Sequence, residues 1–367
     1  MQKKLIAAAV AGLLAVPALA QTNVTISGRF AAGYDNYKLS GGAPGVSHDT
    51  YSGFSDQSSR IIFNVTEDLG SGLKAWAQLD QRFDPVDDVG GGVNANGNSG
   101  LGLMGSWGKF TLGRWDVHYT EIAGGTNAGT RAGSLEAITS FGMLAQVNGA
   151  ASVRATRTSN LIMWDSPNWN GFTGRLMYST SAAGPEGGDN RAGGDPGDGS
   201  AWSAAARYAN GPWKAGLSYW SSDAEGAVAG LGDQRSTRVW GSYMFGMGLS
   251  IGLAYDDAKV DMGATSSKRG AWYIPINYAF GAHKVYFDYA HANDASNTVG
   301  NTSAHQWMVG YDYAFSKRTS MGVYYTDVSN STAGRYSMFH RGAESASLLN
   351  LAGEDSRQFY IGMAHNF

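Results

Sequence analysis

The feature that most constrains this chain is an alternation of apolar with small or polar residues. It recurs in segments of about ten residues from Thr22 to the C-terminus. A period of two is the period of a β-strand that has one apolar face. The chain is therefore expected to consist of strands rather than helices. In one such segment, the residues that share the apolar face are Leu249, Ile251, Leu253 and Tyr255.

The connections between these segments alternate between short and long. The short ones contain Gly, Asn, Pro or Ser, as in Asn210-Gly211-Pro212, and these residues are typical of tight turns. Counting the segments predicts sixteen strands joined by seven short turns and eight long loops. The long loops are rich in Gly, Asp, Ser and Asn and are placed near 38–56, 85–98, 116–154, 182–200, 223–234, 259–267, 293–303 and 329–355.

Aromatic residues gather at the ends of the apolar stretches, for example Trp213 and Tyr219, or Tyr278 and Phe280. Aromatic girdles of this kind lie at bilayer interfaces, and strands of about ten residues span the hydrocarbon when tilted. In lipid, an open sheet edge would leave backbone groups without hydrogen bonds, so the sheet has to close. The sequence therefore predicts an all-β fold, a 16-stranded antiparallel transmembrane β-barrel. The alternative is a secreted β-solenoid or β-sandwich.

The N-terminus has the features of an export signal. Met1–Ala20 contains two Lys residues, then an apolar run and an Ala18-x-Ala20 end, as in cleaved secretory signal peptides. We therefore expect residues 1–20 to be removed and residues 21–367 to form the barrel, with a net charge of −5. Export without any Cys points to the periplasm or outer membrane of a Gram-negative cell. The acidic balance argues against a nucleic-acid partner.

Several motifs stand in one order along the chain: Ser59-Arg60, Glu67–Ala75, Trp107–Arg114, Arg157–Asn160, Trp164–Pro167, Gly310–Tyr313, Ser316–Thr319 and the terminal His365-Asn366-Phe367. Together they resemble the general porins of Gram-negative bacteria, most closely the betaproteobacterial and neisserial branch. The resemblance implies an outer-membrane homotrimer of water-filled channels for passive diffusion of small hydrophilic solutes and ions. It also implies a third long loop folded into the barrel as a constriction, and a C-terminal Phe367 that serves in membrane insertion.

The charges expected inside the barrel are mostly basic. Assigning the apolar face of each strand to lipid leaves the other face for the lumen. A water-filled pore lined by Arg and Lys concentrates anions and repels cations, so we predict a preference for anions. The alternative is that these charges only solvate a polar interior. The nine basic residues on the inward face are Arg29, Arg60, Lys74, Arg82, Arg175, Arg207, Lys214, Arg238 and Lys284, and the four acidic ones are Asp80, Asp256, Asp288 and Asp312.

The long connection at 116–154 is improbable as an idle loop of a compact fold, and by resemblance it is the loop that narrows the pore. Ser134–Leu144 is compatible with a short helix capped by its first residue. The loop carries few acidic residues, so we expect the positive wall to dominate the constriction. Its charged residues are Asp116, Glu121 and Glu136 against Arg131 and Arg154.

The family resemblance implies that Arg60, Arg114 and Arg157 occupy the basic cluster of the constriction. Arg60 falls on the inward face, whereas Arg114 and Arg157 have the parity of the outward face. A β-bulge or the start of the loop would have to turn these two inward. The alternative role for them is an ion pair with loop carboxylates. The predicted pore-lining and constriction residues are Arg29, Arg60, Lys74, Arg82, Arg114, Glu121, Arg131, Glu136, Arg157 and Arg175.

Inward aromatic residues leave a second function open, a substrate-specific channel for sugars or organic acids that stack on aromatic rings. The interpretation favoured here is that these large rings fill space near the wall. The inward aromatic residues are Trp76, Trp220, Trp240, Tyr273, Tyr286, Tyr324 and Tyr360.

Motifs of catalysis or metal binding lack their structural context. Gly100–Gly105 spells G-x-G-x-x-G, but no helix or βαβ unit follows it. The seven His residues show no H-E-x-x-H spacing. No catalytic residue, metal or cofactor is therefore predicted, and an outer-membrane barrel hydrolase is the least favoured function. The expected partners are small hydrophilic solutes and anions, outer-membrane lipid and further copies of the chain.

Overall fold

The computed structural model describes residues 22–42, 50–86, 95, 97–121, 143–151, 157–182, 199–223, 232–262, 265–338 and 351–367. Seventeen of the strands within these ranges form one antiparallel sheet. A separate two-stranded hairpin lies in the connection after the sixth strand. No helix of the described ranges is long and apolar enough to cross a membrane. The expected signal peptide, residues 1–20, lies outside these ranges, so its cleavage stays a prediction.

The strands are numbered in chain order. They are β1 (Thr22–Gly41), β2 (Thr50–Asp56), β3 (Arg60–Gly70), β4 (Leu73–Arg82), β5 (Ser99–Gly105), β6 (Gly108–Asp116), β7 (Gln146–Val147), β8 (Ala150–Ala151), β9 (Arg157–Asp165), β10 (Phe172–Ser179), β11 (Ala201–Asn210), β12 (Trp213–Ser222), β13 (Gln234–Met244), β14 (Leu249–Met262), β15 (Thr265–Phe280), β16 (His283–Ala292), β17 (Ala304–Ala314), β18 (Thr319–Asn330) and β19 (Glu354–Asn366).

The sheet closes into the predicted barrel. Strand β1 pairs with β3 over Thr22–Arg29 and with β2 over Ala32–Lys38, so β2 and β3 are two halves of one wall strand. The other edge of β1 pairs with β19, which closes the sheet on itself. Counting β2 and β3 as one strand gives the sixteen antiparallel strands that the sequence predicted.

The closing seam ends in backbone hydrogen bonds to the last residue of the chain. The Gly28 N–H donates to the Phe367 carbonyl at 3.0 Å, and the Phe367 N–H donates to the Gly28 carbonyl at 3.1 Å. The Phe367 ring lies over Gly28, where a Cβ atom would collide with it, and it also contacts the Phe30 ring. The C-terminal aromatic residue is therefore built into the junction between the first and last strands.

The outer face of the barrel is apolar and carries aromatic residues near both ends. Trp213 packs on Tyr243 near the short-turn end, and Trp202 packs on Tyr219 near the long-loop end. In outer-membrane barrels the short turns face the periplasm and the long loops face the exterior. These pairs therefore form the two girdles expected from the sequence.

Aromatic rings on the inner face lie over glycines of the wall. The Tyr360 ring covers Gly33 and Gly362, and the Trp240 ring covers Gly216. This arrangement gives a structural use to some of the 52 glycines of the chain. The seven inward aromatic side chains are all at most 9% exposed, which favours the space-filling interpretation over a track of open rings.

The strands β14 and β15 reach further than the sequence suggested. A long loop was expected near 259–267, but β14 extends to Met262 and β15 begins at Thr265. The polar residues of this stretch alternate between the two faces of a sheet that continues past the apolar band. Polarity therefore marked the edge of the lipid-facing band here and not the end of the strands.

The packing of inward aromatic rings over wall glycines is expected to stabilise the barrel, and this can be tested. A Cβ atom at Gly216 would lie 2.5 Å from two atoms of the Trp240 ring, whereas one at Gly53, also on the inner face, would meet nothing within 4 Å. We predict that Gly216→Ala lowers the free energy of unfolding by about 1–3 kcal/mol. The Gly53→Ala variant serves as the control. Urea unfolding of the detergent-folded barrel, followed by tryptophan fluorescence, measures both. Equal midpoints for the two variants would contradict the prediction.

Candidate functional site

The connection between β6 and β9 enters the barrel, as predicted, and both of its described ends are packed against the wall. After β6, Val117 is buried among Leu161, Met163 and Trp220. Before β9, Met143 and Leu144 are fully buried in a cluster with inward residues of the wall. A short 3-10 helix occupies His118–Thr120. Most of the helix expected over Ser134–Leu144 lies outside the described residues, and its last two residues form a turn.

A buried carboxylate holds two arginines that bind this loop. Asp256 on β14 accepts from Arg238 Nε at 2.8 Å and from Arg269 Nη1 at 2.9 Å. All three side chains are at most 1% exposed. Arg238 also donates to the Tyr119 and Leu144 carbonyls at 3.1 and 3.0 Å. Because these two carbonyls belong to opposite ends of the loop, one guanidinium fixes both ends to the wall.

The second arginine fixes the returning end of the loop. Arg269 Nε and Nη2 donate to the Gln146 carbonyl at 2.8 and 2.5 Å. The Gln146 amide in turn donates to the Ser337 carbonyl at 3.2 Å. The loop is thereby connected to the segment that follows β18 as well as to the barrel wall.

His118 locks the first turn of the loop to the same carboxylate. Its Nε2 lies 2.8 Å from Ser236 Oγ and its Nδ1 lies 2.8 Å from Ser218 Oγ. Ser236 donates its proton to Asp256, so it must accept from an Nε2–H, while Ser218 donates to Nδ1. This pattern fits the neutral imidazole. Burial lowers the pKa of His118 below its usual value, in spite of the nearby Asp256 carboxylate.

Glu121, an expected constriction residue, is neutralised by the wall. Arg207 Nε donates to both carboxylate oxygens of Glu121, at 2.7 and 2.8 Å. The glutamate is only 3% exposed. It therefore anchors the loop and offers little negative charge to the lumen.

Three basic residues lie side by side on the part of the wall formed by β1, β3 and β4, away from the strands that anchor the loop. Arg29, Arg60 and Arg82 are direct partners across β1, β3 and β4. Arg82 is held by Asp80, with Nε–Oδ1 and Nη2–Oδ2 distances of 2.8 and 2.9 Å. Arg29 and Arg60 are half-buried on the inner face, as the alternation predicted.

The break between β2 and β3 positions Arg60. Asp56 accepts from the Ser58 and Ser59 N–H groups at 3.0 and 2.8 Å, and the Ser59 hydroxyl bonds the backbone of Ala31. The Ser58 hydroxyl also accepts from Arg82. These bonds turn the chain between the two half-strands and place Arg60 at the first position of β3.

The pairing is irregular at the place where Arg114 and Arg157 would need a bulge to point inward. Pairing between β6 and β9 shifts register between Gly113 and Trp115, and Asn160 on β9 has a positive φ of 52°. Arg114 Nε donates to the Arg157 carbonyl at 3.2 Å. Arg157 pairs with Asp116 in the sheet, and its charge acts on Arg60. Arg29, Arg60, Arg82 and Arg157 are hereafter called the arginine cluster.

The remaining expected site residues fall into three groups. Arg175 is ion-paired with Asp165 at 2.6 Å, and Lys74 is exposed on the inner face of β4. Arg131 and Glu136 lie outside the described residues, so nothing is added to the expectation for them.

Arg238 requires a correction, because it was counted among the charges that line the water-filled lumen. It lies on the inward face, but the loop covers it and takes up its hydrogen bonds. The acidic residues Asp256, Asp288 and Asp312 are likewise at most 3% exposed. The sum of the inward charges is therefore not the charge that a solute meets in the lumen.

Two basic residues on the described part of the inner wall escaped the sequence reasoning. Arg269 was missed although it follows the loop expected near 259–267 and shares one parity with Ala271 and Tyr273. Lys109 on β6 was also missed. Its Nζ lies 3.4 Å from the centre of the Trp76 ring and 5.0 Å from that of Trp115.

Comparison with known proteins gives consistent findings. A family model described as Gram-negative porin matches residues 7–333. The chain is similar to outer membrane porin protein 32 of Delftia acidovorans, with 28% identity over 390 aligned positions that cover 100% of both chains. It is also similar to major outer membrane protein P.IB of Neisseria meningitidis serogroup B, with 29% identity over 87% of this chain and 91% of that protein. A solved anion-selective porin from Comamonas acidovorans has a TM-score of 0.75 and 24% identity, covering 95% of this chain and 100% of that chain.

The buried His118 makes the attachment of the loop sensitive to acid. The opened loop binds a proton with a pKa near 6.5, but the closed loop resists it. Closure is therefore unaffected above that pH and weakens as pH falls below it. The charged groups that face the ring are Asp256, Glu121 and Arg238. At pH 5.5 we predict about tenfold more frequent opening than at pH 7.5.

Amide hydrogen exchange of residues 117–121, corrected for intrinsic rates, measures this opening. The His118→Gln variant keeps a hydrogen-bonding side chain but cannot titrate, so its protection should not change between the two pH values. An equal loss of protection in both proteins would assign the effect to another group.

Proposed function

The chain belongs to the Gram-negative porin family, and on that premise we propose that it forms a water-filled outer-membrane channel for passive diffusion of small hydrophilic solutes, with a preference for anions. The porin relatives and the closed barrel support the channel. The arginine cluster is the observation that carries the anion preference. Basic groups in a narrow aqueous pore raise the local concentration of anions.

The charge balance across the described lumen supports the sign of this preference. Arg29, Arg60 and Arg82 form an in-register row, and Asp80 bonds only one of them directly. On the other side, Glu121 is buried against Arg207. The basic row keeps part of its surface exposed, whereas the described acidic side is largely neutralised, and this difference supports a preference for anions.

The assembly and processing of the chain are part of the same proposal. The family resemblance supports a homotrimer with one pore per subunit. The sequence of Met1–Ala20 supports cleavage after Ala20, which leaves residues 21–367 as the barrel. Outer-membrane lipid, small solutes and anions are the partners that follow from a channel in this location.

A channel specific for one solute is less well supported than a diffusive pore. An aromatic track would need open ring faces along the lumen, but the inward rings, such as Trp220 and Tyr273, are covered. The curated relatives named above are porins, which supports transport over hydrolysis as the function.

Ion selectivity in a planar bilayer tests the proposal. In a KCl gradient the purified protein should give a reversal potential of the sign set by chloride. The Arg60→Gln/Arg157→Gln variant should lower the chloride-to-potassium permeability ratio about 3- to 10-fold at 0.1 M salt, because two nearby charges are lost and screening is partial.

The matched control removes two cations outside the lumen. Lys317→Gln/Arg318→Gln changes the exposed periplasmic turn after β17 and should leave the ratio unchanged. Cation selectivity of the unmodified protein would refute the anion preference. Absence of any conductance from correctly folded protein would refute the channel itself.

A further inference from the structure

Two histidines stand opposite each other on the outer face of the barrel, at the end where the long loops lie. His291 on β16 is the direct cross-strand partner of His305 on β17. Both have the parity of outward residues such as Phe287 and Val309. Residues placed directly opposite each other in an antiparallel pair have Cβ atoms about 4.5–5.5 Å apart. The two imidazoles therefore share one small area of the surface, and His291 and His305 are hereafter called the histidine pair.

Aromatic rings pack against both members of the histidine pair. The His291 ring centre lies 5.8 Å from that of Trp272 on β15. The His305 ring is stacked on Tyr289 of β16, with 6.3 Å between the ring centres and 19° between the planes. The Trp272 and Tyr289 rings also contact each other at 5.1 Å. The four rings thus form one continuous cluster, which restricts the motion of the imidazoles and draws His305 toward the strand that carries His291.

The histidine pair lies just outside the hydrocarbon of the membrane. Tyr289 and Trp307 are direct partners two residues closer to the periplasm, and aromatic residues of this kind lie at the level of the lipid headgroups. Strand β16 ends one residue after His291, and β17 begins one residue before His305. His305 is exposed and His291 is half-buried. Ions of the external medium can therefore reach the pair.

Ring nitrogens of the histidine pair are available to bind an ion. Among the described residues, no hydrogen bond involves the ring nitrogens of His305. His291 interacts with the Asn293 amide through one side-chain hydrogen bond, so its other nitrogen is not used. Burial lowers the pKa of His291, and the neighbouring His305 lowers it further. This shift favours the neutral imidazole, which is the form that binds metals. The Asp294 carboxylate acts on His291 as well and favours a cation at this place.

We propose that the histidine pair binds a divalent transition-metal ion through one nitrogen of each imidazole, with Cu²⁺ bound more tightly than Zn²⁺ or Ni²⁺. Imidazole is a common ligand of all three ions, and Cu²⁺ forms the strongest complexes of this series. Metal–nitrogen bonds of about 2.0–2.1 Å place two tetrahedral ligand nitrogens about 3.3 Å apart. Side chains that are direct cross-strand partners reach this separation by rotation about their side-chain bonds.

Water has to complete the coordination of the ion. No group of three or more His, Cys, Asp or Glu side chains in the described part of the chain could hold a metal ion, so the site has two protein ligands. A bound ion would join β16 and β17 where they separate into the connection 293–303. The spacing of histidines along the sequence gave no metal motif, because strand register and not sequence spacing brings these two together.

Electron paramagnetic resonance of the detergent-folded barrel tests the site with Cu²⁺ as the probe. With one equivalent of Cu²⁺, the hyperfine splitting should show two imidazole nitrogens. The His291→Gln and His305→Gln variants should each show one nitrogen. Their affinity for Cu²⁺, measured by calorimetric titration, should fall about 100-fold, because attachment at two points is reduced to attachment at one. Unchanged affinity in both variants would place the ion elsewhere and overturn the proposal.

The matched control is His283→Gln/His365→Gln, which removes two outward histidines near the periplasmic end. These residues lie on strands that are not neighbours. Each has a hydroxyl partner, Tyr311 at 2.7 Å from His283 and Thr319 at 2.9 Å from His365. The affinity of this variant for Cu²⁺ should stay within about twofold of the unmodified protein. A loss as large as in the single variants would show a general effect of histidine removal and would refute the histidine pair as the site.

Competition between ions tests the class of metal. Zn²⁺ should compete with Cu²⁺, whereas millimolar Mg²⁺ should not, because Mg²⁺ prefers oxygen ligands. Displacement by Mg²⁺ would show a carboxylate site and overturn the assignment. Planar-bilayer conductance of the two single variants should match that of the unmodified protein, because the histidine pair lies outside the lumen. Normal conductance also shows that the variants have folded, so a failure of the metal site remains distinct from a failure of the channel.

Discussion

The whole architecture depends on one requirement, that every backbone N–H and C=O group within the bilayer finds a partner inside the protein. Pairing of β1 with β19 meets it by removing the two free edges of the sheet. Closure then fixes which residues can meet water, because alternate side chains must point toward lipid or toward the lumen. The arginine cluster on the inner face is a consequence of this alternation.

Within the barrel, a second constraint fixes the loop that narrows it. Asp256 is fully buried between Arg238 and Arg269, and the guanidinium groups still have donors left for loop carbonyls. Buried ion pairs add little net stability, because desolvation offsets the attraction, but loss of one partner costs about 3–5 kcal/mol. The network therefore gives the loop a unique position. Its charges are used for placement and are not available to passing solutes.

The period of two in the sequence was sufficient to predict the strand number, the closed barrel and the inward direction of Arg60. It also showed that Arg114 and Arg157 needed a bulge to point inward, and a register shift is present between Gly113 and Trp115, but the role of these two residues in the constriction stays a prediction. Parity could not reveal what covers an inward residue, so Arg238 was counted as a pore charge. Coverage depends on a loop far away in sequence, and no local pattern encodes it. Arg269 was also missed, although it shares the parity of Ala271 and Tyr273 and lies just beyond the stretch near 259–267 that was expected to be a loop.

The packing of aromatic rings over wall glycines affects the strand register in which the barrel closes. A slip of β19 against β1 by two residues would keep every side chain on its proper face, so hydrophobicity alone would not reject it. The Tyr360 ring, however, needs both Gly33 across the seam and Gly362 beside it. After such a slip, the ring would meet the side chain of Ala31 or Asp35 instead of a bare backbone. Tyr360 thus favours the correct register of β19 against β1, and it disfavours a shifted register that the alternation of polar and apolar residues alone would permit.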